Sequence, residues 1–305
     1  MRIALTGGTG FIGKRLVERL LFQSHHVTLL CRNPVQAAGA ARIVRGDLAN
    51  KAALESLVSD ADAVIHLAGA VRGAAAADFD RPNVDGTRNL LDAMDAVAPG
   101  TPLLVFSSLA AREPTLSHYA ASKRSAEELV AARSGSRPVL LLRPPAVYGP
   151  GDTEMLPVFR FMARTGFAPC AGRPSDRVSL IFVEDLVDAA MQWLAQAPRA
   201  RGLCTLHDGH PGGYDWEELS SIVGSACGRR VRVLELPRVL LDLAAAINPR
   251  ICALAGRKPM LSPGKLRELR HPDWSCDNLT ISALLGWSPR TPLAEGLART
   301  PGWQH

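Results

Sequence analysis

Lysine is scarce in this chain, with five among 305 residues against 30 arginines, and aromatic residues make up only 5%. The formal net charge is +6, from 35 basic and 29 acidic residues. The arginines are scattered through an alanine-rich background, which reads as GC-rich codon usage rather than a nucleic-acid-binding face. No nucleic-acid partner is expected. The six cysteines (Cys31, Cys170, Cys204, Cys227, Cys252 and Cys276) include no C-x-x-C pair, which argues against a disulfide framework or a zinc ribbon. A charged start followed by an apolar export core is also lacking, so a reduced, cytoplasmic protein is expected. Long hydrophobic runs are missing too. The longest, Val239 to Ala246, is interrupted by Asp242 and followed by Asn248-Pro249-Arg250. That is too short for a transmembrane segment. It reads as a buried helix of the second half, with an interfacial helix as the alternative. Repeats and low-complexity stretches do not occur. With 47% apolar and 21% charged residues, disorder is excluded as the main state.

What the chain does have is alternation. Strand-like runs at Arg2–Thr6, His26–Leu30, Arg42–Arg45, Ala61–Leu67, Pro102–Ser107 and Pro138–Arg143 are interleaved with helical patterns at Phe11–Phe22, about Asp85–Val97 and Ser117–Ala132. Apolar runs of strand length without alternation suit a parallel sheet covered on both faces. The fold class expected is therefore α/β, a Rossmann doubly wound parallel sheet. After Pro150 the rhythm changes, and helical patterns at Met155–Arg164, Trp216–Cys227 and Arg238–Ile247 are joined by loops containing proline and glycine. The division expected is a Rossmann domain over 1–150 and a smaller, mainly helical second domain over 151–305. A strand near 178–190 would return to the first.

Three features carry chemistry. The run Thr6-Gly7-Gly8-Thr9-Gly10-Phe11-Ile12-Gly13 follows a strand and opens a helix. Gly7 and Gly10 would allow the tight turn and close approach to a pyrophosphate, and Gly13 would let helix and sheet pack. An acid commonly ends the second strand of NAD-preferring Rossmann proteins, where it holds ribose hydroxyls. Here Arg32 stands beside that place, and a guanidinium can fork onto a 2′-phosphate. This points to NADP, with NAD as the alternative cofactor. The third feature is Tyr119-Ala-Ala-Ser-Lys123, whose four-residue spacing puts both side chains on one helix face. Chance would supply such a pair about 0.05 times in a chain with so few tyrosines and lysines. A phenol titrating near ~10 becomes a usable acid and base near neutrality when an ammonium stabilises its anion. Ser107 and Ser108 end the fifth strand, where open α/β sheets bind ligands. No metal site is expected: His207-Asp208-Gly-His210 has no third ligand in reach of its spacing. His271-Pro-Asp273-Trp274 either lines a substrate site or anchors the C-terminal segment.

These residues resemble the short-chain dehydrogenase/reductase superfamily in its extended or atypical NAD(P)-dependent epimerase/dehydratase branch, including hydroxysteroid-dehydrogenase-like members. The likeness covers nearly the whole chain. Beside the glycine run, Gly46-Asp47-Leu48 is similar to the adenine-contacting segment, His66-Leu67-Ala68-Gly69 to the fourth-strand motif, and Asn83 to Asn89 to the N-x-x-G-T-x-N helix start. Arg143-Pro144-Pro-Ala146-Val147-Tyr148-Gly-Pro resembles the R-P-x-x-V-Y-G-P segment, and Leu285-Gly286-Trp287-Ser-Pro289 the C-terminal signature. The resemblance implies a catalytic trio of Ser108, Tyr119 and Lys123. It implies cofactor contacts from Gly7 to Gly13, Arg32, Asp47, Leu48, Leu67, Ala68, Gly69, Ser107, Tyr119, Lys123, Pro144 and Val147. Two departures count against a nucleotide-sugar substrate. Ala146 stands where sugar-nucleotide enzymes carry asparagine, and the interval from Ser108 to Tyr119 is short.

The expected activity is hydride transfer between NADP and a small, fairly apolar molecule that interconverts hydroxyl and carbonyl. The alternatives are a nucleotide-sugar epimerase or dehydratase with tightly held NAD(P), and a non-catalytic NADPH-binding accessory protein. A homodimer is left open.

Overall fold

Strands rich in Ile, Leu and Val and buried on both faces can be satisfied only inside a helix-covered parallel sheet, and this is how the first half of the chain folds. A computed structural model describes residues 1–33, 41–196, 200–256 and 258–304. In chain order, β1 (Arg2–Thr6), α1 (Phe11–Phe22), β2 (His26–Cys31) and β3 (Arg42–Arg45) are followed by α2 (Lys51–Val58) and β4 (Ala63–His66). Next come α3 (Ala76–Asp80), a π-helical turn (Arg81–Asp85), α4 (Gly86–Val97), β5 (Leu103–Phe106), a short 3-10 turn (Leu109–Arg112), α5 (His118–Arg133) and β6 (Val139–Arg143). The chain continues with β7 (Ala146–Tyr148), α6 (Leu156–Thr165), β8 (Phe167–Cys170), β9 (Arg177–Val178), β10 (Leu180–Phe182), α7 (Val183–Ala195) and β11 (Gly202–Thr205). It ends with α8 (Trp216–Cys227), β12 (Arg232–Glu235), α9 (Arg238–Leu254), α10 (Pro263–Leu269), β13 (Asp273–Trp274), α11 (Leu279–Leu285) and α12 (Leu293–Ala298).

Seven strands form one sheet in the order β11-β6-β5-β4-β1-β2-β3. From β1 the chain builds outward through β2 and β3, then returns to the other side of β1 with β4, β5 and β6. The pairs within β1 to β6 are parallel, with Thr6 opposite both Leu30 and His66 and Phe106 opposite Leu142. The direction of winding reverses between β1 and β4, so their C-terminal ends form the topological switch point where such sheets hold ligands. Every residue of β4 and β5 is buried. Leu54, Leu90, Leu91 and Met94 cover one face with essentially no exposure.

The chain divides into two units. The first comprises residues 1–143, 187–204 and 283–287, and the second comprises 144–186, 205–282 and 288–305. The second unit pairs its strands in twos, β7 with β10, β8 with β12 and β9 with β13. Its core gathers Tyr148, Phe159, Phe182, Tyr214, Val223, Leu297 and other apolar residues under α6, α8 and α12.

Two sequence expectations are corrected here. The segment near 178–190 does not add a strand to the large sheet. Leu180–Phe182 pairs with Ala146–Tyr148, and the strand that completes the large sheet is β11. Both segments are short and apolar, so pattern alone cannot separate them. Likewise, α9 does not stop before Pro249 but runs through it to Leu254. It is not a buried helix either, since Ala245 is its one buried residue. Among the described residues no helix is long and apolar enough to cross a membrane.

Candidate active site

The turn after β1 is built around backbone that has no room for side chains. Gly7 sits at φ +77°, and a Cβ there would lie 2.5 Å from the Ala68 amide nitrogen in the loop after β4. A Cβ on Gly13 would run into the Gly7 carbonyl oxygen. The two loops at the switch point therefore touch through main chain. Gly8 packs against Leu5 and Leu29, while Thr9 and Gly10 are exposed. Gly10 donates to the Gly7 carbonyl at 3.1 Å and begins α1 without a side-chain cap. The first-turn amides of Phe11, Ile12 and Gly13 thus open α1 without a side-chain cap beside the glycine turn, at the positive end of the helix dipole, a setting suited to a pyrophosphate. The chain fits a dinucleotide here on geometry, not only on motif.

Arg32 follows β2 directly and is exposed. The register of Leu30 opposite Thr6 puts it at the sheet end that carries the glycine turn. Asp47 accepts from the Ala49 amide at 2.9 Å, and Leu48 lies under Gly86 with its carbonyl accepting from Asn89 Nδ2 at 2.8 Å. Pro144 and Val147 belong to the second unit, Val147 on β7 opposite Ile181.

A buried polar chain supports the switch point. His66 Nδ1 lies 2.6 Å from Thr6 Oγ1, and its Nε2 lies 3.0 Å from Thr87 Oγ1. Thr87 spends its hydroxyl hydrogen on the Asn83 carbonyl at 2.6 Å, so it can only accept from His66. This assigns the neutral Nε2–H tautomer, with Thr6 donating to Nδ1 and accepting from the Ala68 amide at 3.3 Å. Burial first, and Lys123 second, push the His66 imidazole down to about 3. Asn83, within the π-helical turn, bonds both the amide and the carbonyl of Ala70 (2.7 and 3.1 Å) and gives Nδ2 to Ser122 Oγ at 2.8 Å. Ser122 in turn donates to the Tyr119 carbonyl at 2.8 Å. A π-helical turn of this kind commonly marks a functional position. Here it aims one amide side chain at both the loop after β4 and the helix that carries Tyr119.

Ser117 caps α5 by accepting from the Ala120 amide at 2.9 Å. Tyr119 and Lys123 then fall on one face. Lys123 Nζ donates to the carbonyl of Phe106, the last residue of β5, at 2.8 Å. This fastens the tyrosine-bearing helix beside Ser107 and Ser108. Burial pulls the Lys123 ammonium down to about 8, against the opposing pull of Glu127. Phe79 flanks Tyr119 with ring centroids 6.0 Å apart. The two serines differ. Ser107 is buried and donates to Glu127 Oε1 at 2.5 Å. Ser108 is half-buried and caps the 3-10 turn by accepting from Ala110 at 3.2 Å, which leaves its hydroxyl hydrogen for another acceptor. Glu127 is itself clamped by Arg143 through two bonds, at 2.9 and 2.5 Å.

Asn83, Glu127 and Arg143 thus support the site although none was singled out for a role in it. Glu127 had a readable signal: positions 119, 123 and 127 continue one polar stripe along the inner side of α5. The weaker histidine motifs find structural uses. Tyr214 donates to Asp208 at 2.7 Å and stacks on His210 with centroids 4.1 Å apart. Trp274 donates to the Glu268 carbonyl at 2.8 Å and contributes to the β9–β13 pair. Among the described residues no group of three or more could hold a metal ion.

Residues 3–202 match the family described as the NAD dependent epimerase/dehydratase family. Ceramide reductase of Caulobacter vibrioides is 36% identical, the alignment covering 99% of this chain and 93% of that protein. The 2-alkyl-3-oxoalkanoate reductase of Stenotrophomonas maltophilia is 32% identical over 98% of both chains. Among solved structures, MoeE5 in complex with UDP-glucuronic acid and NAD superposes with a TM-score of 0.75 at 24% identity, covering 99% of this chain and 98% of the other, a likeness of fold. With its parallel sheet, glycine turn and Tyr119–Lys123 helix, the chain belongs to the NAD dependent epimerase/dehydratase family, and is an NAD(P)-dependent enzyme of the extended short-chain dehydrogenase/reductase type.

Proposed function

We propose that the chain is an NADP-dependent reductase that converts a ketone on an alkyl or acyl chain into a secondary alcohol. The observation that carries this is the fastening of Lys123 to the Phe106 carbonyl at 2.8 Å, which sets Tyr119 and Lys123 beside the serines at the end of β5. Gly7 to Gly13 would hold the pyrophosphate, and Arg32 a 2′-phosphate. Asp47, Leu48 and Leu67 to Gly69 would border the adenosine half, and Ser107, Pro144 and Val147 the nicotinamide half. The nicotinamide supplies the hydride when bound. Ser108 would donate a hydrogen bond to the carbonyl oxygen, and Tyr119 would deliver its phenolic proton there as negative charge develops. Lys123 would hold ribose hydroxyls and stabilise the phenolate left behind. The second unit would supply the substrate-binding residues.

Reduction is favoured over epimerisation by two observations. Both relatives aligned above over nearly their full length are named as reductases of lipid-like ketones or ceramide. In addition, Ala146 offers no amide for a sugar ring. The test is to incubate the protein with NADPH and a panel of long-chain 3-oxo compounds and nucleotide sugars. One NADPH consumed per alcohol formed supports the reading. Turnover of a nucleotide sugar without net consumption of nicotinamide overturns it.

A further inference from the structure

A helix of the second unit turns its apolar side outward. In α9 Val239, Leu240, Leu243, Ile247, Ile251 and Leu254 are all exposed, Val239 by 77% and Leu254 by 93%. At 100° per residue these six fall on one arc of roughly 120°. The opposite side, with Leu241 and Ala245, packs against Ala171 and Leu266. Single exposed leucines need no explanation, but a continuous stripe does.

Charge supplies the second observation. Of the 35 basic and 29 acidic residues, ten and three lie between positions 229 and 270, leaving 25 against 26 elsewhere. The whole positive excess of the chain resides in this segment. Two of its three acids are already matched, Asp242 by Arg270 at 2.6 Å and Glu268 by Lys265 at 3.0 Å. Arg250 lies on the apolar arc itself, and among the described residues it forms no ion pair. An arginine there can extend to phosphate headgroups while its stem stays among the apolar side chains. In a two-fold contact between copies it would be buried with no acid on the facing stripe, leaving a desolvated charge unpaired.

We infer that α9 is an interfacial anchor that lays this face into an anionic lipid surface. This holds whatever the substrate proves to be, because it rests on α9 and its surrounding charge rather than on Tyr119 and Lys123. An apolar face that carries an arginine, on a helix within a segment rich in basic residues and too polar overall to insert, has the physical character of surface-lying helices. Juxtamembrane basic residues add to attraction for anionic headgroups and lose it as salt screens them.

The experiment is co-sedimentation of the full chain with vesicles of phosphatidylcholine alone, or of phosphatidylcholine with about a third phosphatidylglycerol. At least tenfold stronger binding to the anionic vesicles is expected, falling several-fold in roughly 0.5 M salt. The double substitution Leu243→Glu with Ile247→Glu should abolish binding. Arg250→Glu, the gentler change, should weaken only the anionic preference. Melting curves of both variants should match the parent, since these side chains are exposed and lie outside the core cluster under α9. Failure of the parent to bind, equal binding to neutral and anionic vesicles, or retention of binding by a folded double variant would each overturn the inference. So would self-association of the parent, seen by sedimentation velocity and removed by the double substitution, because the face would then be closed by a second copy.

Discussion

Ser107 gives its hydroxyl hydrogen to Glu127, and the 2.5 Å contact leaves Ser108 as the serine with a hydrogen to offer a substrate. On the proposed reading the two neighbours divide the work, one holding the helix and one facing the ligand. Ser108→Ala should lower turnover by about 10–100-fold with little change in stability, as expected for a lost transition-state hydrogen bond. Ser107→Ala should act the other way, with a larger change in melting temperature than in turnover. A Ser107→Ala variant with normal stability and no activity would reverse the assignment.

Glu127 should matter to folding more than any charged residue on the surface. Glu127→Ala leaves the Arg143 guanidinium buried without its partner, a loss of about 3–5 kcal/mol by precedent for broken buried pairs. Chemical denaturation measures it directly. A loss below about 1 kcal/mol would mean that Arg143 finds water or another acceptor.

Tyr119→Phe removes one oxygen and should cut turnover by ~10²–10⁴-fold while cofactor binding is kept. Lys123→Arg should not restore activity, because a planar fork cannot occupy the single position from which Nζ reaches the Phe106 carbonyl. With the ammonium held near 8 by burial, wild-type turnover should fall as pH rises past that value. A profile flat to pH 10 would remove Lys123 from the chemistry.

His66 makes a separate prediction at acid pH. Its imidazole is held neutral down to about 3 in the fold but titrates near ~6.5 when the chain is unfolded. Between those values the unfolded state binds the extra proton, so stability falls as pH drops through the interval. The slope approaches ~1.4 kcal/mol per pH unit for one such group. In His66→Gln this contribution to the slope should vanish, which denaturation at pH 6 and pH 4 would show.

Arg32→Ala tests the cofactor. NADPH should raise the melting temperature of the parent more than NADH at equal concentration, since a ligand at 100 times its dissociation constant adds ~2.7 kcal/mol. The substitution should remove the difference. Equal shifts in the parent would mean that neither cofactor is preferred, and a larger shift with NADH would assign the preference to NAD.

Much of this architecture is legible in the residues because local and global signals agree. The glycine turn lies between a strand and a helix, and Tyr119 and Lys123 share a face by arithmetic alone. The branch likewise follows from several short motifs taken together. Illegible parts share a physical cause. Glu127 and Arg143 are sixteen positions apart and meet only because α5 packs on β6, and the partner that distinguishes Ser107 from Ser108 is invisible without that packing. Leu180–Phe182 and Gly202–Thr205 carry similar short apolar patterns, and only pairing decides which joins the large sheet. For α9, an apolar stripe announces burial but does not say against what.

The inward stripe of α5 has a mechanical consequence. Most helices adhere to a sheet through apolar area, which tolerates sliding by a fraction of an ångström. Beside the apolar packing of Val130, this one presents Lys123 and Glu127, and its grip on Phe106, Ser107 and Arg143 is made of directional bonds. Such bonds weaken steeply once their angles are lost. The helix is therefore either seated, with the phenol in position, or released with several contacts broken together. In hydrogen exchange its inner amides should open as one unit and close as one when cofactor binds.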